Sequence, residues 1–286
     1  MFLVSAAMAA EETVMAPSAE GVQATSAVTP AEETVVIPVE EKKVVETAPA
    51  EEAPKFLTLD VSSEFDSGYL LDSGWKVGNG SASQSDIHLS LVGFYGDFWI
   101  SRPLNGKTDG RKEIDYAAGW AGPIGYGFDV DIKLAYFACQ DIEVEDEESG
   151  EVSEICGDIL QPSVEVGREF ALSETHSLRP FVRMEFPMPV KSGGPERGVY
   201  THFGATHTWT ISPSLTFTQT VKAIADDGVY GAGSGFVGMY GAALSYDLYK
   251  GLTITPSIKA TTPFSVVDER KSEIVGGIGL SYSYSL

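Results

Sequence analysis

The sequence has no long hydrophobic run. Of its 286 residues 43% are hydrophobic, yet no window approaches the roughly 18 uninterrupted apolar residues that a membrane-spanning helix needs. This argues against a bundle of membrane helices. The chain is instead rich in Gly, Ser, Thr and aromatic residues, with 30 Gly and 12 Tyr, which is a composition typical of β-structure.

The chain is also poor in basic residues. Lysine and arginine total 19 against 41 Asp and Glu, so the formal net charge is -22. Because binding to phosphate backbones needs a basic surface, we expect no nucleic-acid partner. Solubility is the simplest account of the acidic charge.

Catalytic motifs are missing as well. The sequence contains no Walker loop, no G-x-S-x-G nucleophile elbow and no H-E-x-x-H zinc motif. We therefore expect no enzyme activity, no catalytic residue, no cofactor and no metal site.

The N-terminal part differs sharply from the rest. Residues 1–10 combine a short apolar run with small residues in an Ala7-x-Ala9 pattern, which resembles the end of a secretory signal peptide that has lost its basic start. Residues 11–55 consist mainly of Ala, Val, Pro, Glu, Thr and Ser and contain no aromatic residue. Such a segment cannot bury enough apolar surface to fold, so we predict a disordered acidic linker.

From residue 56 to 286 the chain alternates apolar and polar residues with a period of two. In the last segment Ile278, Leu280 and Tyr282 alternate with Gly279 and Ser281. Twelve such segments can be counted, and the least regular covers residues 98–104. The pattern predicts an all-β fold, a closed antiparallel β-barrel of about 12 strands.

The connections between these segments alternate in length. Long stretches such as 66–83 and 140–157 alternate with compact ones such as "GPIGYG", "SPS" and "YKG"; "VGFYGD" is counted among the compact ones. Bacterial outer-membrane barrels have long outer loops and tight periplasmic turns, with apolar residues facing lipid. We therefore predict a transmembrane barrel, and expect lipid and lipopolysaccharide as its surroundings. A soluble β-sandwich is the alternative. Aromatic residues near the short turns would form an interfacial belt: Trp120, Tyr126, Trp209, Tyr246, Tyr249, Tyr282 and Tyr284.

Two stretches carry a family resemblance. "GYLLDSGWKVGNGSASQSDIHLSLVGFYGDFWIS" and "EIDYAAGWAGPIGYGFDVDIKLAYF" resemble the TorF family of bacterial outer-membrane porins over residues 56–137. The aromatic-Arg-Gly run of that family is replaced by residues 70–74, which contain no Arg. Leu286 stands where many outer-membrane barrels end on Phe, the residue that the barrel-assembly machinery recognises. The resemblance implies a barrel with pore activity.

Charged residues predicted to face inward are divided along the chain. Acidic side chains are expected on the first six strands and basic ones on strands seven to eleven, which would place an acidic wall opposite a basic one. The expected pore-lining residues are basic Arg179, Arg183, Lys222 and Lys259 and acidic Asp115, Asp129, Asp131 and Glu165. The hypothesis is a porin-like channel for passive diffusion of small hydrophilic or charged solutes. The alternative is a structural or anchoring barrel whose paired charges plug the lumen and whose linker binds a periplasmic partner.

The two cysteines flank one long loop. Cys139 ends the fifth predicted strand and Cys156 precedes the sixth, so neighbouring strands would bring them within disulfide range in an oxidising compartment. We predict a disulfide between them. The acidic run 141–154 between them is interpreted as a solvated loop, since Cys156 stands where a calcium loop needs its bidentate Glu. Weak divalent-cation binding is the alternative for this run.

Overall fold

The computed structural model describes residues 57–74, 76–77, 80–104, 112–139, 143–145, 152–154, 158–190, 197–229, 234–265 and 271–286. The predicted signal-like segment and acidic linker lie outside the described residues.

Twelve long strands account for most of the described chain. They are β1 Leu57–Asp66, β2 Ala82–Leu91, β3 Phe94–Pro103, β4 Glu113–Gly125, β5 Phe128–Cys139, β6 Ile159–Arg168, β7 His176–Glu185, β8 Tyr200–Ser212, β9 Leu215–Asp227, β10 Ser234–Tyr249, β11 Leu252–Pro263 and β12 Glu273–Ser285. Short paired segments accompany them: Tyr69–Leu70 with Lys76–Val77, Glu143–Glu145 with Val152–Glu154, Phe170–Ala171 beside β7 and Met188–Pro189 beside β6.

Each long strand is antiparallel to its two neighbours in chain order. The first and last strands pair with each other, with Val61 opposite Tyr282, and β6 pairs with β7, with Glu165 opposite Arg183. These two pairings join the ends of the sheet, so the sheet is a closed barrel. The predicted fold class is confirmed.

Among the described residues, no helix has the length and hydropathy needed to cross a bilayer.

One end of the barrel, which we call the turn end, carries the short connections. Three of its turns are residue pairs in which both φ angles are positive: Val92-Gly93, Tyr126-Gly127 and Lys250-Gly251. A pair with this backbone matches the twist of adjacent strands, and Gly adopts it without steric cost. The predicted connection "VGFYGD" is therefore too long, because β3 already begins at Phe94.

The opposite end, which we call the loop end, carries the long connections. The strands leave it between residues 66 and 82, 103 and 113, 139 and 159, and 185 and 200, and also between β9 and β10 and between β11 and β12. The predicted alternation of long and short connections is thus present around the whole barrel.

The outer face of the barrel is apolar. Val61 and Ile87, which lie opposite each other on β1 and β2, are 41% and 45% exposed. The polar residues that alternate with them along each strand point inward. Tyr126, at 94% exposed, lies at the turn end. Exposed aromatic side chains gather at the turn end (Phe94, Tyr126, Trp209, Tyr246, Tyr249, Tyr282, Tyr284) and at the loop end (Phe65, Tyr116, Phe203, Phe236, Phe264). The exterior is thus an apolar band with aromatic residues at both ends.

Candidate channel interior

The connection between β1 and β2 folds into the barrel instead of extending from it. We call its described residues 67–74 and 76–77 the inner segment. The backbone of Ser67 is fixed to β12 by Ser67 N–H donating to Gly276 O at 2.8 Å, and Gly276 N–H donates to Ser67 Oγ at 3.0 Å. Lys76 pairs with Glu273 of the same strand at 2.9 Å. Both ends of the segment are therefore held beside β12.

Apolar residues of the inner segment pack against inward-facing side chains around the loop end. The ring of Tyr69 lies 5.7 Å from that of Trp99 on β3, and its hydroxyl donates to Glu113 Oε2 on β4 at 2.7 Å. Gly74, with φ +85°, lies against Val237 of β10, where a Cβ would overlap the valine side chain. The segment therefore contacts the wall on several sides and lies across the loop half of the interior.

Asp72 connects the inner segment to the opposite side of the barrel wall, at β7 and β9. Its Oδ2 accepts from the Arg183 guanidinium on β7 and its Oδ1 from Lys222 Nζ on β9. Lys222 Nζ also donates to the main-chain oxygen of Asp72 at 2.8 Å. In a ring of twelve strands, β7 is the strand farthest from β1, so this contact spans the interior.

The charge of Asp72 is fixed by these two cations. Partial desolvation inside the barrel would by itself raise the pKa of its carboxyl group, but Lys222 and Arg183 outweigh that effect and hold the pKa well below its usual range. The carboxylate is therefore ionised throughout the physiological pH range.

Two further residues complete the group around Asp72, which we call the latch cluster: Asp72, Arg183, Glu185, His202 and Lys222. Arg183 Nε lies 2.9 Å from Glu185 Oε1, and His202 Nε2 lies 3.4 Å from Glu185 Oε2. His202 is fully buried and Lys222 is 6% exposed. The cluster joins β7, β8, β9 and the inner segment.

Arg179 is paired on its own side of the barrel. Its guanidinium donates to Glu165 on β6 at 2.7 Å and also to Asp129 on β5. To reach Asp129 it crosses β6 above Gly167, where a Cβ would overlap it. The expectation of an acidic wall opposite Arg179 is corrected, because β7 lies next to the acidic strands.

Lys259 is paired in the same way. Its Nζ lies 3.3 Å from Glu64 Oε2 on β1, two strands away across β12. Ser257 Oγ donates to Glu64 Oε1 at 2.9 Å, and the Glu64 side chain passes above Gly277. The acid and the base again lie on the same side of the barrel.

The remaining predicted acidic residues lie on β4 and β5. Asp131 accepts from the Tyr95 hydroxyl at 2.6 Å, and the tyrosine ring crosses β4 above Gly119. Asp115 shares the inner face of β4 with Glu113. Gly119, which has no side chain, is thus the place where the long side chain of Tyr95 crosses from β3 to the second strand along, β5.

The turn half of the interior is lined by hydroxyl groups. The Oγ1 atoms of Thr206 on β8 and Thr220 on β9 are 3.0 Å apart. Thr255 donates to Ser245 at 3.1 Å between β11 and β10. This half offers hydrogen-bond donors and acceptors to water and to polar solutes.

The predicted disulfide lies outside the described residues. Cys156 and the side chain of Cys139 are not described, and neither are the side chains of the acidic run between them. The disulfide stays a prediction.

Sequence reasoning missed the role of Asp72. A signal was present, since Tyr69, Leu70 and Leu71 form an apolar run within a connection predicted to be a long outer loop. Tyr69 and Leu70 are buried in the structure. An apolar run of this kind in a long loop indicates a segment that packs against the barrel.

Comparison with known proteins yields distant structural likenesses. No family model matches the sequence, and no curated protein sequence matches it. The NanC porin has 13% identity and a TM-score of 0.49, covering 78% of this chain and 98% of its own. The KdgM porin has 10% identity and a TM-score of 0.49, covering 79% and 99%. An outer membrane channel from Pseudomonas putida F1 has 10% identity and a TM-score of 0.49, covering 84% and 100%.

Proposed function

We propose that the chain is a porin-like channel of the bacterial outer membrane that allows passive diffusion of small hydrophilic or charged solutes. The observation that carries the proposal is a closed barrel with an apolar outer face and a hydrophilic inner face. In a bilayer every strand must be paired, and a closed barrel with aromatic residues at both ends of an apolar band meets that requirement. The turn end would then face the periplasm, and β12 would be the strand presented to the barrel-assembly machinery.

The width of the barrel supports a path for small solutes. Twelve strands about 4.8 Å apart and tilted by about 40° give a backbone cylinder roughly 24 Å across. Inward side chains narrow this space, and in the loop half the inner segment narrows it further. The proposed lining groups are the inward-facing charged residues described above: Arg179, Arg183, Lys222, Lys259, Asp115, Asp129, Asp131 and Glu165.

Single-channel recording tests this function. The refolded protein should show heat-modifiable migration in detergent gels, fractionate with membranes and give conductance steps in planar bilayers. A variant in which residues 69–74 are replaced by a short Gly-Ser linker should conduct more than the wild type, because it lacks the segment that lies across the loop half. Protein that stays dissolved without detergent as a compact monomer would contradict the proposal.

A second function is favoured by the inner segment itself. A barrel whose lumen is permanently filled would serve as a structural anchor, with residues 11–55 binding a periplasmic partner. The two functions predict different recordings, since an anchor would give no conductance steps in the wild type and would conduct only after residues 69–74 are replaced by the Gly-Ser linker. Deletion of residues 11–55 would then abolish capture of the periplasmic partner without affecting the barrel.

A further inference from the structure

The Asp72 carboxylate occupies a position shaped for a carboxylate. Its two oxygens are each bound by a different cation, Arg183 on one side and Lys222 on the other. These cations belong to β7 and β9, which are fixed in the barrel wall, whereas Asp72 belongs to a connection. The acid can therefore leave the cations, but the cations cannot follow it.

Of the two cations, Lys222 is the one that would lose its counter-ion if Asp72 left. Glu185 lies 2.9 Å from Arg183 Nε and neutralises that charge. In the described part of the chain, Lys222 forms its ion pair with Asp72, and Lys222 is 6% exposed. A buried cation with no counter-ion is costly, so Asp72 leaves readily only when another anion takes its place.

The contacts also define which anion fits. Lys222 Nζ binds both a carboxylate oxygen of Asp72 and, at 2.8 Å, its main-chain carbonyl oxygen. The position thus accepts a carboxylate with a second oxygen a few bonds away. Hydroxylated organic acids have this arrangement, and uncharged polyols of the same size lack the carboxylate.

We propose that Arg183 and Lys222 form a carboxylate-binding subsite of the lumen, and that Asp72 is the internal occupant that a hydroxylated organic acid displaces. The subsite deepens the proposed channel function and rests on it for its physiological meaning. Displacement frees the tip of the inner segment from the far wall, so the solute that binds is also the solute that widens its own path.

Calorimetric titration of the folded protein in detergent, with sodium gluconate as the probe, tests the subsite. An internal competitor lowers the apparent affinity in proportion to its occupancy. Asp72→Asn should therefore bind gluconate about tenfold more tightly than the wild type. Adding Lys222→Gln to Asp72→Asn should abolish that gain. Sorbitol, which has the same carbon chain without the carboxylate, should not bind detectably to any variant.

Lys259→Gln in the Asp72→Asn background is the matched control. It removes an inward lysine that is paired with Glu64 outside the subsite, so tight gluconate binding should persist. Equal gluconate affinity of the wild type and Asp72→Asn would overturn the subsite. So would an equal loss of affinity when Lys222→Gln or Lys259→Gln is added to Asp72→Asn. Heat-modifiable migration verifies that each variant is folded.

The readout is independent of conductance. Tight gluconate binding by a barrel that never conducts would overturn the channel function but leave the subsite intact. Conductance without competition between gluconate and Asp72 would overturn the subsite alone.

Discussion

The effect of Gly167→Val on the free energy of unfolding should change sign with the residue at position 179. In the wild type, the Arg179 guanidinium lies above Gly167 and reaches Asp129 on the far side of β6. A valine side chain at 167 occupies that position, so the guanidinium must leave and its hydrogen bonds to Asp129 are lost.

The magnitude follows from two opposing effects. Valine in place of glycine within a strand is favourable by roughly 1 kcal/mol. Hydrogen bonds to a charged partner contribute about 1.5–3 kcal/mol. This value has to be reduced because the side chains of Arg179 and Asp129 are 28% and 40% exposed, which leaves about 2 kcal/mol. The net result is destabilisation by about 1 kcal/mol in the wild type and stabilisation by about 1 kcal/mol when residue 179 is alanine.

Urea unfolding in lipid vesicles measures this cycle with the single variants Gly167→Val and Arg179→Ala and the double variant. Gly241→Val is the matched control, since a Cβ at this inward glycine would meet nothing within 4 Å; it should be neutral or stabilising in both backgrounds. The reasoning is refuted if Gly167→Val has the same sign with arginine and with alanine at position 179.

Three further predictions concern the outer face, the latch and the long loop. Ile87→Arg places a charge on the apolar band and should cost about 2–4 kcal/mol in lipid-vesicle unfolding, whereas inward Ser62→Arg should change the free energy of unfolding by less than about 1 kcal/mol; similar losses would contradict the assignment of faces. Because the pKa of Asp72 is depressed, its contact is fully present above about pH 3.9 and is lost only as the pH falls through the lower value in the folded state. Wild-type conductance should thus stay below that of Asp72→Asn from pH 7 to pH 4, and convergence of the two near pH 4.5 would be inconsistent with the depressed pKa. Reduction of a Cys139–Cys156 disulfide should lower the free energy of unfolding by about 3 kcal/mol, measured with and without reductant; the same stability in both, or two titratable thiols in the untreated protein, would show that the bond is absent.

The barrel itself could be predicted because its signals are local. In β12, the alternation of Ile278, Leu280 and Tyr282 with Gly and Ser is visible within a few residues and identifies the outer face. The turns at Tyr126-Gly127 and Lys250-Gly251 likewise depend on adjacent residues. The period-two pattern and the turn residues together predict the number of strands. They also predict closure, because a sheet of paired strands with one apolar face loses its exposed edges only when it closes into a barrel.

The charge arrangement could not be predicted in the same way. Parity places Arg179 and Asp129 on the inner face but not on the same side of the lumen. That contact requires the guanidinium to cross β6, and it depends on Gly167 offering no side chain. The residues involved lie 50 positions apart in the chain, so their proximity depends on the closed sheet and not on any local pattern.

By itself, then, the sequence determined which residues face outward, how the strands are joined and that the sheet closes, because alternation and turn geometry act between near neighbours. Only the tertiary structure decided what fills the cylinder. Asp72 meets Arg183 and Lys222 across 111 and 150 residues of chain. A contact of this range depends on where a folded connection reaches within the barrel, and no period in the sequence encodes that distance.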